Sequence, residues 1–144
     1  MQHQNFCRTY AAPETYKIGL CDGNSDVFSL GAVLSEVETL VHGKSLAAYL
    51  EHRMQNLITP TGSRGRRQRR YAETIDEASE WLTMLSRHAG DADRSDDTWR
   101  SRMNLLNRML AESPEHRPSA LVLQSAFARE HRERNQRRHE VNNL

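Results

Sequence analysis

The sequence predicts an all-α fold, on three observations. Apolar residues recur at alternating intervals of three and four in successive windows, the spacing of one helix face. No stretch of any length alternates apolar with polar residues, as a half-buried strand would. The windows are separated by cap and breaker residues, among them Gly43, Gly90, Pro114 and Pro118.

Residues 1–24 contain Pro13, Gly19 and Gly23 and show no sustained periodicity. They read as mostly loop, with a short helix around residues 11–16 that tolerates Pro13 in its first turn. Residues 25–41 are the segment around which the chain is organised. Val27, Leu30, Leu34, Val37 and Val41 trace one stripe, which Val33 and Leu40 widen. A face this broad and apolar predicts a helix enclosed by the rest of the chain. Gly31 and Ala32 leave a low profile where a neighbour can approach closely. Asn24 and Ser25 are the N-cap candidates, and Asp26 falls in the first turn, where a carboxylate suits the positive helix end. His42 and Gly43 supply the stop.

Residues 45–57 predict a second amphipathic helix, capped by Ser45, with Leu46, Tyr49, Leu50, Met54 and Leu57 on one side. The next stretch holds Thr59-Pro60, Gly62, Gly65 and the run Arg64, Arg66, Arg67, Arg69 and Arg70, with almost no apolar residue. It reads as a disordered basic insert over about residues 58–73. Thr74 and Glu77 have capping-box spacing at the head of a third helix, whose stripe is Ile75, Ala78, Trp81, Leu82 and Leu85. An acidic connector at residues 91–96 leads to a fourth helix over about residues 97–111, with Trp99, Met103, Leu106 and Leu110 aligned and Met109 beside them. Residues 113–118 cannot continue it, because each proline lacks an amide donor and restricts its predecessor. Ser119 then caps a last helix carrying Ala120, Leu123 and Phe127; the charged tail at residues 129–144 reads as its continuation, a solvated Arg/Glu helix that frays at residues 141–144.

Composition narrows the function without naming it. The 144 residues balance 20 Lys and Arg against 19 Asp and Glu, so no overall charge draws the chain to nucleic acid or membrane. No apolar run is long enough to span a bilayer, and residues 1–5 are polar, so no signal peptide is expected. Cys7 and Cys21 are too few for a disulfide framework, and no Cys/His spacing suits zinc. An intracellular protein, cytoplasmic or nuclear, with free thiols is the expectation. The arginine run lacks interleaved aromatics for base stacking, so nucleic acid is not expected as a partner. It reads as a solvated insert first and a localisation signal second.

Three motifs in order carry a resemblance. They are Tyr10-Ala11-Ala12-Pro13-Glu14, then Ser25-Asp26-Val27-Phe28-Ser29-Leu30-Gly31, then Ser113-Pro114-Glu115-His116-Arg117-Pro118-Ser119. Each alone is weak, but their order and spacing resemble the C-terminal half of a eukaryotic-type protein kinase domain of the Ser/Thr kind. The first is similar to the Ala-Pro-Glu end of the activation segment. The second is similar to the start of the central F helix, and the third to the junction between the H and I helices.

The resemblance implies a helical C-terminal subdomain over residues 1–128, with a central F-type helix surrounded by shorter helices and the N-terminal lobe absent. It implies a buried ion pair between Glu14 and Arg117, and a role for Asp26 as an anchor at the head of the F-type helix. It places Cys7, Arg8, Thr9 and Tyr10 at the pocket beside the phosphoacceptor of a protein substrate. Where the family has Gly-Thr, this chain has Phe6-Cys7, and a thiol is a weak hydrogen-bond group. The complete family domain uses Mg-ATP to phosphorylate protein Ser/Thr. This sequence carries no glycine-rich phosphate loop, no His-Arg-Asp loop and no Asp-Phe-Gly metal site. Residues 19–23 miss the glycine-loop spacing, and His131-Arg132 is followed by Glu133. No catalytic, cofactor-binding or metal residue is therefore assigned. The chain is expected to be a fragment or a pseudokinase-like remnant that is inactive alone, needs no cofactor, and binds a protein substrate or partner. Part of the central helix is expected to be left bare, which favours association.

Overall fold

In the computed structural model, residues 8–55, 70–89 and 97–142 are described. Leu57, Cys7, Gly90, the arginines at 64, 66, 67 and 69, and the acidic connector at 91–96 lie outside them. The order is α1 (Pro13–Ile18), α2 (Gly23–Val41), α3 (Leu46–Met54), a 3-10 turn (Tyr71–Glu73), α4 (Ile75–Ala89), α5 (Asp97–Met109), a 3-10 turn (Pro114–His116) and α6 (Ala120–Asn142). No strand occurs among the described residues, so the architecture is all-α. α2 packs against α3, α4 and α5, and α4 packs against α3 and α5.

Local chemistry sets the ends of α2. Asp22, not Asn24 or Ser25, is the N-cap. Its carboxylate accepts from the amides of Asn24 and Ser25, each at 3.0 Å, while the Asp22 amide donates to Ser25 Oγ at 3.4 Å. The two residues form a reciprocal capping box, with Ser25 in the position more often held by Glu. At the other end, Gly43 takes φ +68°. There its amide donates to the Leu40 carbonyl and the Lys44 amide to that of Thr39, the paired bonds of a Schellman motif.

The buried face of α2 is not the predicted stripe. Phe28, Gly31, Ala32, Ser35 and Thr39 face the core, whereas Leu30, Val33, Val37, Leu40 and Val41 are exposed. Val27 is buried and Leu34 partly so, at the margin between the faces. Close packing explains the choice. A Cβ on Gly31 would stand 2.8 Å from Met109 Cβ, so α5 crosses α2 where the side chain is missing. The hydroxyls on that face satisfy themselves within the helix: Ser35 donates to the Ala32 carbonyl and Thr39 to that of Ser35. Small residues with internally satisfied hydroxyls admit neighbours that larger aliphatics would hold off.

α3 differs in the same way. Ser45 is the N-cap, accepting from Ala48 N, but the buried residues are Tyr49 and Arg53, while Leu46 and Leu50 are exposed. α4 and α5 match their stripes: Ala78, Trp81, Leu82 and Leu85 meet Met103, Leu106, Met109 and Leu110 in one core cluster. The insert ends earlier than expected, because Tyr71–Glu73 is an ordered 3-10 turn and Tyr71 is fully buried. α6 runs on unbroken through the charged tail to Asn142, as the run-on Arg/Glu helix expected there. Of the stripe expected for α6, Leu123 is buried but Ala120 and Phe127 are exposed.

Candidate functional site

Two polar constructions lie beside α2. The first is the meeting of Glu14 and Arg117. Pro13 occupies the first position of α1 and puts Glu14 in its first turn. Arg117 follows the 3-10 turn of residues 114–116, with its side chain fully inaccessible. Its guanidinium grips Glu14 by two parallel bonds, Nη1 to Oε1 at 2.6 Å and Nη2 to Oε2 at 2.9 Å. The remaining donors reach the carbonyls of Ala111, Asn24 and Glu112 at 2.8, 3.0 and 2.8 Å. Every guanidinium donor direction is thus used, and the cation also lies 5.0 Å from the centroid of the Phe28 ring. Burial alone would raise the Glu14 carboxyl. The bond from Arg117, its charge and the Ser25 hydroxyl outweigh that and hold it below the ordinary carboxylate value. The construction ties α1, the head of α2 and the α5–α6 connection into one joint.

The second is a cleft of about 230 Å³ lined by Thr9, Tyr10, Glu36, Leu46, Tyr49, Leu50 and Arg53. The Glu36 carboxylate accepts from the Tyr10 hydroxyl, at 3.2 Å to each oxygen, and from the Tyr71 hydroxyl at 2.9 Å. Behind it, Ser35 Oγ lies 3.0 Å from the Tyr49 hydroxyl. Tyr10 and Tyr71 stack at 5.6 Å, and the Arg53 guanidinium sits 3.4 Å from the Tyr71 centroid. Arg53 Nε donates to the Thr74 hydroxyl, so the residue predicted to cap α4 also holds α3. The Tyr71 amide donates to the Thr9 carbonyl at 2.9 Å, which fixes the wall of the cleft. Burial drives the Tyr49 and Tyr71 phenols upward, so both remain neutral donors. The cleft presents an oriented carboxylate between two phenols, with exposed leucines at the rim.

Of the residues singled out from sequence, Thr9 and Tyr10 line the cleft and Arg8 is exposed. Asp26 is exposed on α2 and is not the cap, a role that Asp22 fills. Glu36, Tyr49, Arg53 and Tyr71 were not marked as site residues. Arg53 carried a signal, because it lies inside the angular span of Leu46, Tyr49 and Leu50 on a helical projection. Glu36 and Tyr71 meet across 35 residues, a separation that helical periodicity cannot read. Among the described residues, no group of three His, Cys, Asp or Glu side chains is arranged to hold a metal ion. None of their helices is long and apolar enough to cross a membrane.

No family model matches the chain, and neither the curated proteins nor the solved structures compared with it give a match.

Proposed function

We propose that this chain is a protein-binding module built like the helical lower lobe of a eukaryotic-type protein kinase, and that it acts without transferring phosphate. The observation that carries the reading is the bidentate union of Glu14, in Ala12-Pro13-Glu14, with Arg117, in His116-Arg117-Pro118, beneath α2. The order of the three sequence motifs supports it. Phosphoryl transfer rests on positioned phosphate and metal ligands, and the sequence supplies none of the motifs that provide them.

On this reading the cleft beside Thr9 and Tyr10 holds an extended protein segment. Glu36 takes a cationic side chain by a charge-assisted hydrogen bond, and Leu46 and Leu50 cover an apolar neighbour. A positional peptide array probed with the chain is expected to favour Lys or Arg at one position and to lose that preference in Glu36→Gln. An array without preference overturns the cleft assignment. Calorimetry with Mg-ATP is expected to be silent, and micromolar binding overturns the non-catalytic assignment.

A further inference from the structure

The outer side of α6 is a second surface, distinct from the cleft and independent of any likeness to kinases. Leu123 is the one buried side chain among those described on this helix. Glu130 is tied to the body by Arg102, whose Nη1 also donates to Glu38 of α2 at 3.1 Å. Farther along, Asn135, Gln136, Arg138, His139 and Glu140 are all exposed, so the distal part stands clear of the core. Its charges are sorted by side. At about 100° per residue, Arg129, His131, Arg132, Gln136, Arg138 and His139 fall within an arc of about 180° on the side away from Leu123. Glu130, Glu133 and Glu140 gather within about 80° outside that arc, and none lies on it. Arg132 and Arg138 are exposed, and neither side chain has a hydrogen bond or ion pair among the described residues.

A helix that is merely solvated gains from acids and bases interspersed four apart. Among the described residues, this stretch makes one such pair, Arg129 with Glu133 at 3.9 Å. It also sets Arg129 and Arg132 three apart on one face, where like charges repel. The partner such a face fits is a polyanion. Residues 128–140 include no large apolar or aromatic residue other than histidine. A bilayer therefore has nothing to take up, and a protein interface would lack its apolar centre. Single-stranded nucleic acid is held by stacking on Phe, Tyr or Trp rings, which are missing here. Duplex DNA needs none of these. Its phosphates accept from guanidinium forks, and its major groove admits a whole helix, whereas that of duplex RNA is too deep and narrow. Residues 128–140 span about 18 Å, the length of about five base pairs. The missing aromatics weigh against single strands only, and the near-neutral chain as a whole conceals a local excess of positive charge on one face.

We infer that the acid-free face of α6 is a docking surface for duplex DNA, with the helix lying in the major groove and Arg132 and Arg138 gripping backbone phosphates. Fluorescence anisotropy of a short labelled DNA duplex, titrated with the full chain, tests it. Micromolar binding is expected at about 50 mM salt, weakening steeply towards about 200 mM. Arg132→Gln combined with Arg138→Gln is expected to weaken binding by about tenfold and to flatten the log–log salt dependence by about 2. Both positions are exposed and unpaired, so circular dichroism should match the parent. Changing Arg66, Arg67 and Arg69 to Gln should leave the gap between the α6 variant and its parent as it was, which separates this face from the basic insert. A chain that does not bind the duplex overturns the inference. So does binding that ignores the α6 variant, a gap that closes once the insert is neutralised, or duplex RNA or poly-glutamate held as tightly as the DNA.

Discussion

Arg117 and Glu14 meet edge to edge across 103 residues of chain, the shorter of their two bonds measuring 2.6 Å. Only a planar fork satisfies two carboxylate oxygens and three separate carbonyls from one position. Lysine has three donors on a single nitrogen and cannot reach all of them. Arg117→Lys should therefore destabilise the fold by about 2–3 kcal/mol, chiefly by stranding buried acceptors. Urea unfolding followed by circular dichroism measures it. A variant as stable as the parent would show that the carbonyl contacts contribute little.

The same pair sets a pH dependence. The Glu14 carboxyl is lowered in the folded chain from an ordinary value of 4.5. Below that value the unfolded chain takes up a proton that the folded one resists, so stability falls with falling pH. The contribution is fully present above about pH 5 and is lost as pH drops through the depressed folded value. Glu14→Gln should start less stable and then lose less between pH 5 and 3. Stability curves with equal slopes in that window would contradict it.

Gly31 is a packing position. Gly31→Ala brings a Cβ to 2.8 Å from Met109 Cβ, and overpacking of this kind costs about 1–3 kcal/mol, more than the roughly 1 kcal/mol that alanine contributes as a helix former. Thermal unfolding should show a net loss. Adding Met109→Ala should not rescue it, because the clashing atom is the Cβ that alanine retains.

The cap assignment separates two acidic residues four apart. Asp22→Ala removes an acceptor for two amides and half of a capping box, and should lower the thermal midpoint by a few degrees. Asp26→Ala should leave the stability of the monomer nearly unchanged. Equal effects would mean that Asp26 supports the helix in a way its exposed position does not explain.

The helices and their order are legible in the sequence because cap chemistry and the 3.6-residue period act locally. Which face of a helix is buried is not local. α2 carries more apolar residues than its neighbours can cover, and periodicity alone favours the aliphatic side. Packing favours the side where Gly31 and Ala32 let α5 approach, and where Ser35 and Thr39 need no outside partner. Tyr71 lay hidden at the end of a run of arginines, where composition outweighed one aromatic. The cleft was half legible. Tyr10 came through its resemblance to a known motif, whereas Glu36 has no meaning until Tyr71 is brought to it across the fold.

The most direct test of the account is a double-mutant cycle on Glu14→Gln and Arg117→Met, read by urea unfolding. The joint described here predicts that each single change is costly and that the double variant is little worse than the Arg117 variant alone, a coupling of about 3 kcal/mol. Losses that simply add would contradict it, because the two residues would then be stabilising the fold separately.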